Sequence, residues 1–233
     1  MTATDPPLVE RPVFFLDYDG TLAPIVERPF EAYPHPDIPP ILIALKKEHP
    51  VWIVTGRDIE SLAQLCSVPL PVIGIHGLQR GRIGGEIELL VNPQLRSMLD
   101  DLRETVPAIE GLWVEEKGPT FAVHYRDVSD QAAAERALRR WADLSPAAVE
   151  VLWGKKVAEL RPKGFSKGHA VKDVMVQWPQ GTPVYLGDDT TDEDAFRMLA
   201  APAVTVKIGP GETAARYRLA DVDAVAAYLK EYV

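Results

Sequence analysis

Along the chain, short uninterrupted apolar runs alternate with stretches in which apolar residues recur every three or four positions. Val13–Leu16, Val51–Val54, Val72–Ile75, Val184–Leu186 and Val204–Val206 are of strand length and lack the polar alternation of a half-exposed sheet. Such runs predict central parallel strands covered on both faces. Between them, residues 38–48, 59–66, 167–178 and 222–228 carry a helical period, as does a segment through Phe196 and Leu199. Ser166 is placed to cap the helix whose stripe is Ala170, Val171, Val174 and Met175. Strands alternating with helices predict an α/β fold, a doubly wound and mostly parallel sheet. Residues 24–40, with Pro24, Pro29, Pro34, Pro36, Pro39 and Pro40, predict a stiff extended connection.

The pattern changes in the middle of the chain. From Glu86 to about Pro162 it runs strand, helix, two strands, helix, two strands: Ile87–Val91, Leu95–Glu104, Leu112–Glu116, Phe121–Arg126, Ala132–Leu144, Val149–Trp153 and Val157–Leu160. Hairpin turns at Lys117-Gly118-Pro119-Thr120 and Gly154-Lys155 predict an antiparallel sheet backed by two helices. Residues 83–162 are therefore expected to form an α+β cap domain, inserted into a catalytic core made of residues 1–82 and 163–233. The glycine-bearing stretches 79–85 and 162–164 are expected to be its two crossings, as a mobile cap requires.

The ends of the core strands carry the chemistry. Val13–Leu16 stops at Asp17-Tyr18-Asp19-Gly20-Thr21, and open α/β sheets place ligands at the carboxyl ends of their strands. A surface turn or a calcium loop also uses Asp-x-Asp-Gly. The first needs no bulky apolar run before it, and the second lacks its closing Glu, because Arg28 stands there. Val51–Val54 leads to Thr55-Gly56-Arg57-Asp58, a hydroxyl, a glycine and a cation suited to an anion; the alternative is that Thr55 caps a helix and Arg57 is solvated. Lys167, in the first turn of its helix, opposes the dipole and so predicts a facing anion. Val184–Leu186 leads to Gly187-Asp188-Asp189, and Asp188 to Asp194 holds five acids in seven residues. Asp192, Glu193 and Asp194 fall in a helix's first turn, where acids favour the dipole; Asp188 and Asp189 are better placed to hold a cation beside Asp17. Carboxylates alone repel phosphate, so the set works only with Mg2+ among Asp17, Asp188 and substrate oxygens, and with Lys167 offsetting their charge. Asp17 is then expected to attack phosphorus, and Asp19 to protonate the leaving oxygen and later deprotonate water.

Composition narrows the partners. Thirty-four acidic against 25 basic side chains give a formal charge of −9, and no Lys/Arg run tracks a polyphosphate backbone, so no nucleic acid is expected. One cysteine, Cys66, allows no intrachain disulfide. No apolar run approaches the roughly 20 residues of a membrane span, and no secretory signal is read, so a cytoplasmic protein without membrane contact is expected, a monomer acting on a small molecule.

Asp-Tyr-Asp-Gly-Thr-Leu, Val-Thr-Gly-Arg, Ser-Lys-Gly and Gly-Asp-Asp-x-Thr-Asp-Glu-Asp together resemble the four ordered motifs of the haloacid-dehalogenase superfamily of phosphatases. Gly74–Gly77, Val114–Lys117, Ala122–Arg126 and Gly154–Pro162 narrow the resemblance to the trehalose-6-phosphate phosphatase family, over about residues 13–200. The resemblance implies a haloacid-dehalogenase-like core with an α/β cap, and a Mg2+-dependent hydrolase that releases trehalose and phosphate. It implies Asp17 as nucleophile and Asp19 as acid/base with a backbone metal ligand. Thr55 and Lys167 become phosphate contacts; Asp188 becomes a metal ligand, with Asp189 behind it. Gly56, Arg57, His76 and Gly77 are expected near the substrate, and Lys117, Lys155 and Glu159 on the cap against the sugar. Ser166 stands where the family more often has Asn. The core motifs leave open another sugar phosphate, such as sucrose, glucosylglycerol or mannosylglycerate phosphate, and a non-catalytic sugar-phosphate sensor keeps the same fold.

Overall fold

The structure, a computed structural model, describes residues 5–233. They form two compact units, one running up to Glu88 and resuming at Ser166–Val233, the other Leu89–Phe165.

The first unit is built on an eight-stranded sheet. Its strands are β1 (Pro12–Leu16), β2 (Val51–Val54), β3 (Pro71–Gly74), β4 (Gln79–Arg82), β5 (Ile87–Leu89), β10 (Thr182–Gly187), β11 (Val204–Ile208) and β12 (Tyr217–Leu219). Their spatial order is β12-β11-β10-β1-β2-β3-β4-β5, parallel from β12 to β3, with β4 antiparallel to β3. The continuous apolar runs are explained by the pleat. Phe14 and Leu16 face one layer and Val13 and Phe15 the other, and both layers are covered. Helices α1 (Ile38–Glu48), α2 (Ile59–Leu65) and α7 (Val222–Lys230) bury Leu42, Leu45, Ile59, Leu62, Val225 and Leu229 on the first side. Helices α5 (Lys167–Met175) and α6 (Asp192–Met198) bury Val171, Val174, Ala195 and Phe196 on the second. Every β1 side chain is buried, so this strand is fixed from both faces before any functional group is added.

Three expectations are corrected here. The glycine-rich basic stretch 79–85 is not a bare crossing: Gln79–Arg82 pairs with β3, Ile73 lying opposite Arg80. Ile87–Leu89 also lies on this sheet's edge rather than opening the insert. These two outermost strands are largely solvent-accessible, so Arg and Gly are tolerated and no hydrophobic alternation announces them. The proline-rich connection is interrupted by a short 3-10 turn at Pro29–Glu31 and ends early, because Pro39 and Pro40 sit in the first turn of α1, where a missing N–H is harmless.

The second unit is a four-stranded antiparallel sheet of β6 (Trp113–Lys117), β7 (Thr120–His124), β8 (Val149–Gly154) and β9 (Val157–Pro162), in the order β6-β7-β9-β8. Helices α3 (Pro93–Glu104) and α4 (Gln131–Ala142) supply Leu99, Leu102, Leu138 and Trp141 to a core shared with Phe121, Val123 and Leu160. The alternating residues Glu115, Ala122, Glu159 and Leu152 are in register on the opposite face.

Candidate active site

The site is assembled at the carboxyl ends of β1, β2 and β10, where the apolar strands stop and the polar residues begin. After β1 the chain closes a tight turn: the amides of Thr21, Leu22 and Ala23 all donate to the Tyr18 carbonyl, and the Gly20 amide to Ala23. Buried Tyr18 pins the turn to the proline-rich loop by donating its hydroxyl to the Ala32 carbonyl at 2.9 Å. Gly20 has φ +75°, and a Cβ there would come within 2.1 Å of Asp188 Oδ2. The turn and β10's carboxylate thus share a space that only glycine leaves open. Gly20→Ala is expected to displace Asp188 and lower kcat/KM at least about a hundredfold, while thermal melting records a loss of only about 1–2 kcal/mol.

Lys167 joins the two halves of the site. Its ammonium donates to Asp17 Oδ1 at 2.6 Å and to Asp192 Oδ1 at 2.8 Å, with all three side chains buried. Ser166 is the cap that starts its helix, the hydroxyl accepting from the His169 amide. Asp192 also accepts from the Tyr185 hydroxyl at 2.7 Å through Oδ1 and from the Asp189 amide at 3.0 Å through Oδ2. Its two oxygens are therefore spent on holding the lysine, the sheet and the following turn. Asp188 lies beside this network, and Lys207, at the end of β11, donates to its carbonyl.

Burial pushes the Asp17 carboxyl well above the usual carboxylate range; Lys167 opposes this, while Asp192 and Asp188 reinforce it. Burial likewise raises Asp188, to about 6, helped by Asp192 and Asp189 and opposed by Lys167 and Lys207. Burial pulls Lys167 down, but Asp17 and Asp192 outweigh it and hold the ammonium above its ordinary value. Carboxylates exceed the ammonium charge between them, so the pocket is short of positive charge. Oxygens of Asp17, Asp188 and Asp192 lie within 4.8 Å of one another. Hard oxygen donors and surplus negative charge suit a cation such as Mg2+, and the three carboxylates are near enough to converge on one. With Asp192 engaged elsewhere, Asp17 and Asp188 are the side chains suited to hold it.

On β2's end, Thr55 is buried and its Oγ1 accepts from the Arg57 amide at 3.1 Å. It does not cap α2; Asp58 does, accepting from the Ser61 amide at 2.7 Å. Beside it, Ile75 and His76 have φ +45° and +52°, and Gly77 follows at +111°. Two consecutive left-handed residues without glycine's freedom cost of order 1 kcal/mol or more each. The His76 amide donates to the Thr55 carbonyl at 3.0 Å, and the His76 ring fills the place a Cβ on Gly56 would take, 2.5 Å from its Cε1. Strain of this kind persists only where the surroundings hold it, here the Thr55 carbonyl and the close Gly56 backbone.

Sequence reasoning grouped Asp189 with the metal ligands. Here Asp189 is exposed and its Oδ1 accepts from Thr190, while Asp192 joins Asp17 and Asp188. The Asp19 side chain is outside this cluster and is taken by Arg57. Asp192, Tyr185 and Lys207 were missed. The signals existed: a tyrosine within an apolar strand needs a buried partner, and a lysine closing Val204-Thr205-Val206 is out of place unless an anion or carbonyl receives it.

In the second unit Lys117 Nζ lies 3.6 Å from Glu159 and 3.8 Å from Glu115, and Glu115 meets His124 Nε2 at 2.8 Å. Trp113 stacks on the His124 ring at 3.9 Å and is itself exposed. Lys155 is exposed in the turn between β8 and β9.

The sequence matches the trehalose-phosphatase family over residues 15–223. It is 34% identical over 236 residues to the bifunctional trehalose-6-phosphate synthase/phosphatase of Thermoproteus tenax, a match that covers 95% of this chain and 32% of that protein. The chain thus spans about a third of that relative's length. It is 32% identical over 250 residues to the trehalose-6-phosphate phosphatase of Escherichia coli, covering 96% of this chain and 90% of the other. Among solved structures, the C-terminal domain of the Candida albicans trehalose-6-phosphate phosphatase aligns with a TM-score of 0.73 and 26% identity, covering 100% of this chain and 99% of that domain.

Proposed function

The chain belongs to the trehalose-phosphatase family, with a haloacid-dehalogenase-type α/β core, and from that premise we propose that it hydrolyses trehalose 6-phosphate to trehalose and inorganic phosphate. The observation that supports this most is buried Asp17 at the end of β1 and half-buried Asp188 after β10, with buried Lys167 of α5 on Asp17: a nucleophile, its counter-charge and a cation ligand in one place.

Asp17 Oδ attacks phosphorus as the bond to the sugar oxygen breaks, giving an aspartyl-phosphate and a leaving oxygen that takes its proton from Asp19. Water then attacks the phosphoryl group and gives a proton to Asp19; phosphate leaves, Asp17 is regenerated and Asp19 is ready for the next turnover. Lys167 keeps Asp17 pointed at the phosphorus throughout, and Asp192 with Tyr185 keeps Lys167 there. Thr55 Oγ1 and the amide of Gly56 offer donors to phosphoryl oxygens. Asp17, Asp188 and the Asp19 carbonyl would hold Mg2+. Once bound, it would neutralise phosphoryl oxygens and so let an anionic nucleophile approach.

Lys117, Lys155 and Glu159 are assigned to sugar hydroxyls. Lys117 and Glu159 already pair on one sheet face, where each can exchange its partner for a hydroxyl at modest cost. The test is phosphate release with trehalose 6-phosphate, sucrose 6-phosphate, glucose 6-phosphate and glucosylglycerol phosphate, in Mg2+ and in EDTA. The expected result is at least about tenfold preference in kcat/KM for trehalose 6-phosphate, lost with EDTA. Equal rates on all four would discard the sugar assignment, and release unaffected by EDTA would discard the cation.

A further inference from the structure

Asp19, which the proposed chemistry requires at the leaving oxygen, is already engaged at both oxygens. Arg57 Nε donates to Oδ2 at 2.7 Å and Nη2 to Oδ1 at 2.6 Å, a two-point pair between the loops that end β1 and β2. The pair is partly withdrawn from solvent, Arg57 being 14% exposed and Asp19 34%. The base of Arg57 does not move freely. Its amide donates to Thr55 Oγ1, its carbonyl accepts from the Ile75 amide, and the next residue caps α2. The guanidinium lies 5.7 Å from the centroid of the Tyr18 ring, so it rests on the same turn whose carboxylate it grips. Only the side chain can swing.

A carboxylate whose two oxygens both accept from a guanidinium fork has spent the lone pairs on that side, and the fork keeps Asp19 turned toward Arg57. Opening the pair leaves both Asp19 oxygens free to serve the leaving group. A phosphoryl dianion supplies the reason to open, because it offers the same fork two oxygens and more charge than a carboxylate. The site in which it would sit is next door: Asp17 is among the charges acting on Arg57, and Thr55 Oγ1 holds the Arg57 amide.

We propose that Arg57 is an anion-responsive clamp, holding Asp19 while the site lacks a phosphoryl group and passing to that group when it binds, which frees Asp19 to turn toward the leaving oxygen. This deepens the assignment of Asp17 and Asp19 above and rests on it. It makes Arg57 a positioning residue in the empty site and a substrate contact in the filled one. Hydrolytic use of Asp19 is thereby tied to the presence of the right anion.

Inorganic phosphate is the probe, with its affinity measured by calorimetry in Mg2+, so the outcome does not depend on which sugar the enzyme takes. Arg57→Ala is expected to weaken phosphate about tenfold or more. Asp19→Asn, which releases the guanidinium, is expected to tighten it, and that gain should vanish when Asp19→Asn is made in the Arg57→Ala background. In wild type, the Arg57 Nε–H resonance, assigned by its disappearance in Arg57→Lys, should shift on adding phosphate toward a position unlike that in the empty protein. Arg57→Lys keeps the charge and serves if Arg57→Ala fails to fold. A gain from Asp19→Asn that survives without Arg57, or phosphate affinity indifferent to Arg57, would overturn the clamp. Failure of sugar-phosphate turnover alone would instead count against the proposed function and leave these binding results readable.

Discussion

Asp17→Asn is expected to reduce phosphate release by roughly four orders of magnitude or more while leaving the fold intact, because it removes the only atom assigned to attack phosphorus. The amide is nearly isosteric and keeps an oxygen for the Lys167 ammonium. The lysine in any case retains Asp192 at 2.8 Å. Stability should not fall. Burial, with Asp192 and Asp188 nearby, holds the Asp17 carboxyl well above the ordinary range, which means the folded protein disfavours its charge. A carboxyl raised in this way contributes stability when it is protonated and loses it as pH rises through the folded value; the neutral amide escapes that loss. Thermal melting at neutral pH should therefore give Asp17→Asn a Tm equal to or above wild type. In the presence of Mg2+ the order should narrow or reverse, since the carboxylate then has a partner that the amide binds less well. Near wild-type turnover would remove Asp17 from the mechanism, and a large drop in Tm would show that its charge holds the fold.

The parts of the molecule that could be read in the sequence are those in which one physical constraint acts alone. Val13–Leu16 has no polar position because both sheet faces are packed, and the polar break at Asp17 follows from the end of that packing. Asp188 was legible for the same reason at the end of β10. Asp192 was not, because an acid in a helix's first turn is already explained by the dipole, and nothing local says that Lys167, 25 residues earlier, will fold against it. Tyr185 looked like core because it is core, buried against Phe196, with a hydroxyl that reaches the network from below. The pairing of Arg57 with Asp19 spans 38 residues and depends on β1 and β2 being neighbours, which their order in the sheet decides and their sequences do not. Strands β4 and β5 were hidden by their own composition, since strands this exposed are held by backbone pairing rather than by apolar side chains.

Lys167→Met is expected to damage stability and activity together, and by different routes. The methylene stem of methionine fills much of the same volume, but the ammonium that serves both Asp17 and Asp192 is gone, and both carboxylates are buried. Removing one partner from a buried ion pair costs about 3–5 kcal/mol, because the partner left behind has lost its solvent and gained nothing. Here two partners are left, so the upper part of that range is expected. Tyr185 and the Asp189 amide continue to hold Asp192, whereas Asp17 is left facing Asp188 without a counter-charge. The two routes separate in a second variant. Adding Asp192→Asn to Lys167→Met removes one stranded charge and should recover part of the lost Tm, whereas activity should stay at least about a thousandfold down, since nothing then orients the nucleophile. Denaturant melts and phosphate release on the three proteins decide it. If the double variant recovered rate along with stability, Lys167 would be only a structural counter-ion; if Lys167→Met melted like wild type, the buried charges would have to be neutral in the folded protein.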